Sequence, residues 1–152
     1  MIVGLLETLN DQGGKEDIYK LSRTLHFELD DLVPITEAAE LLGFVRIEKG
    51  DIEFAEIGKQ IVDGDENVKK RIFRTQMMAS VPLIGRILGE LEQSDDHRVE
   101  REHFVEWLSQ SFSQQESERQ LDTAVDWGRY AELFDYDHDA QEFFLPEAAE
   151  AA

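Results

Sequence analysis

The sequence predicts a mainly α-helical protein of the α+β class, in which two winged-helix-like domains follow one another and are joined by a helix. Apolar residues recur at helical spacing through most of the 152 residues. Two short segments instead alternate apolar and polar residues around a turn, which is typical of a β-hairpin. The order helix, helix, helix, hairpin occurs twice, and this is the order of a winged helix. A single helical bundle that carries two hairpins is the alternative architecture.

The first domain is predicted over residues 1–64. We expect three helices, a hairpin and a further helix there, over Ile2–Leu9, Asp17–Leu25, Asp30–Leu42, Phe44–Phe54 and Glu56–Val62. Pro34 is expected in the first turn of the third helix, where its missing N–H costs little, with Asp30 and Asp31 at the cap. Gly43 follows that helix at the position that favours a left-handed residue. The hairpin turns at Lys49-Gly50-Asp51.

A polar break at Asp63–Asn67 separates this domain from a connecting helix, which we assign to residues 65–80. This helix carries a basic cluster, which consists of Lys69, Lys70, Arg71 and Arg74. One explanation of the cluster is a solvated helix face whose positive charge is balanced by nearby acidic side chains. The other is a contact for an acidic patch on a partner.

The second domain is predicted over residues 81–146. Its first helix begins at Val81-Pro82, its second covers Glu100–Phe112 and its third begins at Ser113. A hairpin follows, with strands near 133–136 and 142–145. Ser113 and Glu116 have the spacing of a capping box, so the third helix should begin there and extend to about Trp127. Residues 147–152 are predicted to form a flexible tail.

The composition is strongly acidic and contains no cysteine. A total of 34 Asp and Glu against 15 Lys and Arg gives a net charge of −19, and such a surface repels phosphate backbones. Solubility or adaptation to a salty cytoplasm accounts for the charge most simply. Without cysteine, disulfides and thiolate chemistry are excluded. No apolar run approaches the length of about 18 residues that spans a bilayer, so the predicted location is the cytoplasm.

Sequence motifs of enzymes and cofactor sites are missing. There is no phosphate-binding loop, no nucleophile elbow and no His-Glu-x-x-His pair. The four histidines are scattered at spacings unlike those of zinc sites. Asp135, Asp137 and Asp139 alternate as in a calcium loop, but Ala140 and Pro146 replace its required glycine and glutamate. We therefore expect no catalytic residue, no cofactor and no metal.

A winged-helix transcriptional regulator that binds DNA is the alternative function. Such proteins place the third helix in the major groove and contact phosphates with cations. The third helix of the first domain brings Asp30, Asp31 and Glu37 but no Lys or Arg, and the beginning of the equivalent helix in the second domain brings one cation, Arg119. Because these helices would repel phosphate, nucleic acid is not the favoured partner.

Six segments of the chain resemble the C-terminal AAA-associated domain, which is found after the ATPase of ABC importers of the nitrate, sulfonate and taurine type. They are Val3–Glu7, Gly13–Tyr19, Leu32–Phe44, Gly50–Ile52, Arg71–Arg74 and, above all, Leu121–Tyr136. The resemblance extends over nearly all of the chain from Ile2 to Leu145. The phosphate loop and signature motif of the ATPase itself are absent from this sequence.

The resemblance implies a non-catalytic regulatory domain that binds an ABC ATPase in cis or in trans and meets the membrane only through the transporter. A homodimer is compatible with the sequence. Interaction residues are expected at the end of the last long helix and in the basic cluster: Trp127, Arg129, Tyr130, Lys69, Lys70 and Arg74. Aromatic and arginine side chains are common interface anchors, although a core position for Trp127 is the alternative.

Overall fold

The structure is a computed structural model that describes residues 2–146, so the predicted tail at 147–152 lies outside the described residues. Eight helices and six short strands form this part of the chain, which confirms the predicted mainly α class with small antiparallel sheets. The chain divides into two compact units, Met1–Gln76 and Met77–Ala152. Within the described range, no helix is both long and apolar enough to cross a membrane.

The first unit contains four helices, three strands and most of a fifth helix. Their order is α1 (Ile2–Asp11), β1 (Lys15–Asp17), α2 (Ile18–Leu25), α3 (Leu29–Leu41), β2 (Val45–Glu48), β3 (Asp51–Phe54), α4 (Glu56–Asp63) and α5 (Glu66–Ser80). Leu5, Leu6 and Leu9 are fully or almost fully buried because their spacing puts them on one face of α1. The N-terminal part of α5 packs in this unit, where the rings of Phe73 and Phe44 lie 5.7 Å apart.

The second unit repeats the arrangement with different residues. Its elements are α6 (Pro82–Gln93), β4 (Arg98–Glu100), α7 (Arg101–Leu108), α8 (Gln114–Tyr130), β5 (Asp135–Asp137) and β6 (Glu142–Phe144). Aromatic residues fill its core. The ring of Phe143 lies 5.5 Å from Phe104, 5.7 Å from Phe134 and 4.8 Å from Tyr136, at inclined or edge-on angles that aromatic pairs prefer.

Both units form a three-stranded antiparallel sheet with the same topology. The strand orders are β1-β3-β2 and β4-β6-β5, so the second strand of each hairpin lies in the centre. The prediction of three helices and a hairpin was therefore incomplete, because β1 and β4 add a third strand to each sheet. Each added strand has three residues, Lys15–Asp17 or Arg98–Glu100, which is too short to show an alternating pattern.

Corresponding backbone hydrogen bonds fix each hairpin in the same way. The first residue of the second helix donates to the hairpin turn, from Ile18 N to Gly50 O and from Arg101 N to Gln141 O, both at 2.9 Å. The residue before the first strand accepts from the end of the hairpin, since Phe54 N donates to Gly14 O at 3.0 Å. The matching bond in the second unit runs from Leu145 N to the His97 carbonyl. The architectural repeat therefore extends to individual hydrogen bonds.

The third helices end alike and differ from prediction in their bounds. Gly43 has φ of 84°, which confirms its predicted left-handed role after α3, and Glu132 has φ of 59° after α8. The N-cap of α3 is Glu28 without a side-chain bond, so the prediction that Asp30 and Asp31 cap it was wrong. Both lie in the first turn, where their charge favours the helix dipole. Because α3 begins at Leu29, Pro34 lies inside the helix, beyond the first turn.

The second unit also corrects two helix ends. The helix α7 ends at Leu108 and not at Phe112, because the chain turns before the next cap. The predicted cap of α8 is confirmed, since Glu116 N donates to Ser113 Oγ at 3.1 Å. The helix then continues to Tyr130, three residues beyond the predicted end, which leaves Gly128 buried within it.

Candidate interaction surfaces

The end of α8 holds three of the predicted interaction residues, and Arg129 is fixed within the unit. Its Nε donates to Asp135 Oδ1 and its Nη2 to the Tyr136 carbonyl at 2.7 Å, so it joins α8 to β5. Trp127 and Tyr130 are half-buried. The structure thus brings the three residues to one helix end and gives Arg129 a structural role, while their binding of a partner remains a prediction.

The first unit contains a contact that corresponds to the one Arg129 makes between the third helix and the following strand. Counted back from the left-handed residue that ends each third helix, Glu40 occupies the position in α3 that Arg129 occupies in α8. Its Oε2 accepts a hydrogen bond from Ile47 N at 3.0 Å, in the strand that follows. An acid that accepts and an arginine that donates thus make the same connection from the third helix to the next strand.

The basic cluster lies on α5. Lys69 has a side chain that is only 15% exposed, and its Nζ lies 3.8 Å from Glu7 Oε2 on α1. Lys70 and Arg74 are half-buried and Arg71 is exposed. Lys69 therefore helps to hold α5 within the first unit. Lys70 and Arg74 remain predicted interaction residues, together with Lys69 itself.

Two arginines of the second unit are surrounded by acids. The Arg101 guanidinium, with a side chain only 13% exposed, donates to Glu118 Oε1 at 2.8 Å and to Asp122 Oδ1 at 3.0 Å, and thus joins α7 to α8. Arg98 donates to Glu142 and to Asp137 at 2.7 and 3.1 Å. Each of these two arginines thus places one positive charge between two carboxylates, in charge-assisted hydrogen bonds that are stronger than neutral ones.

The calcium-like string of alternating aspartates belongs to this network. Asp137 Oδ1 accepts from Ala140 N and Asp139 N, at 3.1 and 3.0 Å, which builds the turn of the second hairpin. These two N–H groups and the Arg98 guanidinium hold the pKa of the Asp137 carboxyl below its usual value. Asp135 is bound to Arg129, so the carboxylates serve the hairpin as hydrogen-bond acceptors.

The remaining candidates for chemistry are separate from one another. His103 bonds Glu90, and His26 and His97 occupy left-handed positions at the ends of elements. Among the described residues, no three His, Asp or Glu side chains form a group that could hold a metal ion. A shallow groove of about 580 Å³ in the first unit is lined by Asn10, Gly13, Gly14, Phe54, Ala55, Glu56 and Lys59.

The outward side of α3 is a surface that was not predicted from the sequence. We define the outer stripe of α3 as Asp30, Pro34, Glu37 and Leu41, which lie within about 60° of one another around the helix axis. All four are exposed, opposite the buried Leu32, Thr36 and Ala39. In the described part of the chain, the carboxylates of Asp30 and Glu37 have no ion pair or hydrogen bond. The spacing of four, three and four residues was the signal that could have identified this stripe.

The same positions in α8 carry different side chains. Counted from the N-cap, these positions in α8 hold Gln115, Arg119, Asp122 and Asp126. Because α8 is four residues longer than α3, counting back from the left-handed residue instead matches Glu37 with Asp126 and Leu41 with Tyr130. Arg119 donates to both carboxylate oxygens of Glu116, at 2.9 and 2.7 Å, and Asp122 is bound to Arg101. The two third helices therefore differ in length and in their cations, since α3 has no Lys or Arg whereas α8 contains Arg119 and Arg129.

Comparison with known proteins identifies the family. The family model described as C-terminal AAA-associated domain matches residues 19–137, which cover most of both units. A search of curated proteins and a search of solved structures gave no match. A domain of this family is associated with an ATPase of the AAA or ABC type and is not itself the catalytic ATPase domain. The chain belongs to the C-terminal AAA-associated domain family.

Proposed function

We propose that this chain is a non-catalytic regulatory domain that binds the ATP-binding subunit of an ABC importer of the nitrate, sulfonate or taurine type. Its membership of the C-terminal AAA-associated family is the observation that carries this proposal. The ATPase is either fused to the domain or a separate chain. The domain would then act in the cytoplasm and reach the inner face of the membrane through the transporter.

Ion pairs hold the elements of the second unit together. Arg98, Arg101 and Arg129 each bind one or two carboxylates and thereby hold helices and strands together. These polar groups stabilise the folded unit. We propose that the folded unit presents a preformed surface to the ATPase, because less conformational entropy is then lost on binding.

We further propose that each unit is a winged-helix-like domain, with predicted bounds of 1–64 and 81–146 joined through residues 65–80. The order helix, strand, helix, helix, hairpin in both units supports this assignment. It also bears on the DNA-binding alternative. The outer stripe of α3 has two carboxylates and no cation, so the helix that would enter the major groove repels phosphate.

Regulation requires that docking favour one conformation of the ATPase. A domain that bound two conformations equally would shift no equilibrium between them. We therefore expect the bound domain to alter the rate of ATP hydrolysis through contacts that differ between the conformations.

Titration of purified domain into ATP-binding subunit that lacks it tests the proposal. Calorimetry should detect binding, and the hydrolysis rate should change as the sites fill. The absence of binding between folded proteins would contradict the proposal. A low-salt titration with duplex DNA serves as the second arm, since DNA binding with a steep salt dependence would support the alternative function.

A further inference from the structure

We propose that Arg129 and Asp135 cover the free edge of the second sheet and thereby prevent a second copy of this chain from adding its own β5 strand there. We call these two side chains the edge cover. The proposal concerns self-association and goes beyond the proposed function, because it holds whether or not the chain binds an ATPase.

The outer strand β5 has a central residue, Tyr136, whose backbone groups face away from the sheet. Tyr136 lies opposite Phe143 of the central strand β6. On either side of Phe143, Gln141 O accepts from Arg101 N and Leu145 N donates to the His97 carbonyl, so alternate residues here bond towards β4. Phe143 therefore also faces β4, and the pair that it forms with Tyr136 is a non-hydrogen-bonded one. The N–H and C=O groups of Tyr136 thus point outward, where such groups are a template for another strand.

The edge cover binds both outward groups of Tyr136. Arg129 Nη2 donates to the Tyr136 carbonyl and Asp135 Oδ1 accepts from the Tyr136 N–H, each at 2.7 Å. Arg129 Nε also donates to Asp135 Oδ1, so the ion pair joins the two bonds. The two side chains are 41% and 42% exposed, which places them between the strand and solvent. An added strand would have to replace these charge-assisted hydrogen bonds with weaker, neutral ones.

The first unit covers the equivalent residue with the opposite chemistry. Ile47 lies opposite the fully buried Ile52 of its central strand, and its N–H donates to Glu40 Oε2 at 3.0 Å. Glu40 and Arg129 have the same place before the end of the third helix but opposite charges. The two units therefore do not share an ion pair. They share a polar side chain on the outward backbone of the outer strand, and this supports edge covering as its role.

A second copy of β5 is the partner that fits the uncovered edge. Across a twofold axis, the outward N–H and C=O groups of the two Tyr136 residues can pair with each other, which joins two three-stranded sheets into one of six strands. This register places Asp135 opposite Asp137 of the other copy, and like charges in that position oppose pairing. A variant that opens the edge must therefore lose the charge of Asp135 together with Arg129.

The double variant Arg129→Gln/Asp135→Asn tests the proposal, because it removes the edge cover without changing the net charge. Hydrogen exchange at Tyr136 N–H, followed by NMR, and sedimentation velocity are measured at a low and at an about fiftyfold higher protein concentration. In the double variant, this N–H should exchange at least about threefold more slowly at the higher concentration, while sedimentation shows dimers. In wild type, its exchange rate should not depend on concentration.

Two controls separate an open edge from a general loss of stability. Glu116→Gln/Arg119→Gln also removes an ion pair at constant net charge, but on the exposed face of α8. Gly128→Ala disturbs the packing of Phe134 and leaves the edge cover in place. Both controls should behave as wild type. If circular dichroism shows that the double variant is unfolded, Arg129→Lys replaces it, since a lysine lacks the planar fork that bonds Asp135 and the Tyr136 carbonyl together.

A folded variant without the edge cover that stays monomeric would overturn the proposal. Dimers in which the exchange rate at Tyr136 is independent of concentration would also overturn it, because the association would then use another surface. The same would follow if either control associated as strongly as the double variant. The proposed function would stand in each of these cases, since none of the measurements includes the ATPase.

Discussion

Gly128 shows how a single position depends on a contact across the end of its helix. A Cβ built on Gly128 would lie 2.2 Å from Cε1 of Phe134, a side chain that is itself buried. The ring of Phe134 thus fills the space that any other residue would need, and glycine is required for packing even though its backbone is helical.

We expect Gly128→Ala to lower the free energy of unfolding by about 1–3 kcal/mol, because the ring must move within a packed core. Gly89→Ala is the control, since its Cβ would meet no atom within 4 Å in the described structure. That change should raise stability by up to about 1 kcal/mol, as alanine favours a helix interior. Urea denaturation measures both, and an equal effect of the two substitutions would contradict the packing argument.

Asp137 gives a prediction for the dependence of stability on pH. The N–H groups of Ala140 and Asp139, with Arg98, hold its pKa in the folded state below its usual value. A carboxyl with a lowered pKa stabilises the fold above its unfolded pKa of about 3.9 and loses this contribution as pH falls through the folded pKa. The free energy of unfolding should therefore decrease as the pH is lowered into the acid range.

Asp137→Asn should make this acid-side loss shallower between about pH 5 and pH 2. Unfolding midpoints measured across that range test the prediction. Asp126→Asn, on an exposed aspartate of α8 that makes no ion pair in the described chain, should leave the slope closer to that of wild type. If both variants gave the same slope, the hydrogen bonds of Asp137 would not be its source.

Residues whose role is local could be predicted from the sequence, and residues whose role depends on packing could not. The capping position of Ser113 and the left-handed Gly43 follow from neighbours within a few residues. The burial of Gly128 depends on where Phe134 lies after the helix ends, and periodicity does not contain that information. Whether Asp30 and Glu37 form an ion pair likewise depends on where the Lys and Arg side chains lie in the folded chain.

At the scale of elements, the connection between the third helix and the following strand recurs in both units. Arg129 makes it in the second unit, through Asp135 and the Tyr136 carbonyl, and Glu40 makes it in the first. The contact limits the freedom of the strand that begins each hairpin. It therefore couples the position of the hairpin to the end of the helix.

Arg129→Gln should lower the free energy of unfolding by about 1–2 kcal/mol, because the Asp135 carboxylate and the Tyr136 carbonyl lose a charged donor. Urea denaturation of the isolated chain measures this effect without any partner. Arg119→Gln is the control, since its ion pair with Glu116 lies within one exposed helix face and is worth little. Unchanged stability of Arg129→Gln would leave partner binding as the main role of this arginine.

Elements with clear periodicity were predicted, and the two outer strands were missed. The spacing of leucines in α1 and the capping box before α8 mark those helices in the sequence. The strands β1 and β4 form because a hairpin strand offers hydrogen-bond partners to three residues. The hairpin strand is distant along the chain from the outer strand that pairs with it, so a local sequence pattern cannot predict the pairing.

At the scale of the whole molecule, the net charge of −19 opposes folding through repulsion among 34 acidic side chains. Raising the salt concentration from about 0.1 M to 1 M shortens the Debye length from about 10 Å to 3 Å and screens this repulsion. We expect the melting temperature to rise over this range. Circular dichroism with NaCl and, as a control for ion identity, KCl measures the effect. A falling melting temperature would show that loss of the internal ion pairs dominates.

We propose that this member of the C-terminal AAA-associated family regulates an ATPase by docking to it. Regulation implies reciprocity: if the domain changes the equilibrium between ATPase conformations, nucleotide must change the affinity of the domain by the same factor.

The affinity of the domain for ATP-binding subunit in the nucleotide-free and ATP-bound states is therefore the most direct measurement, with a hydrolysis-deficient subunit holding the ATP-bound state. We predict dissociation constants that differ by at least about fivefold between the two states. Equal dissociation constants in the two states would contradict regulation and leave the domain as an anchor that binds the ATPase without changing its activity.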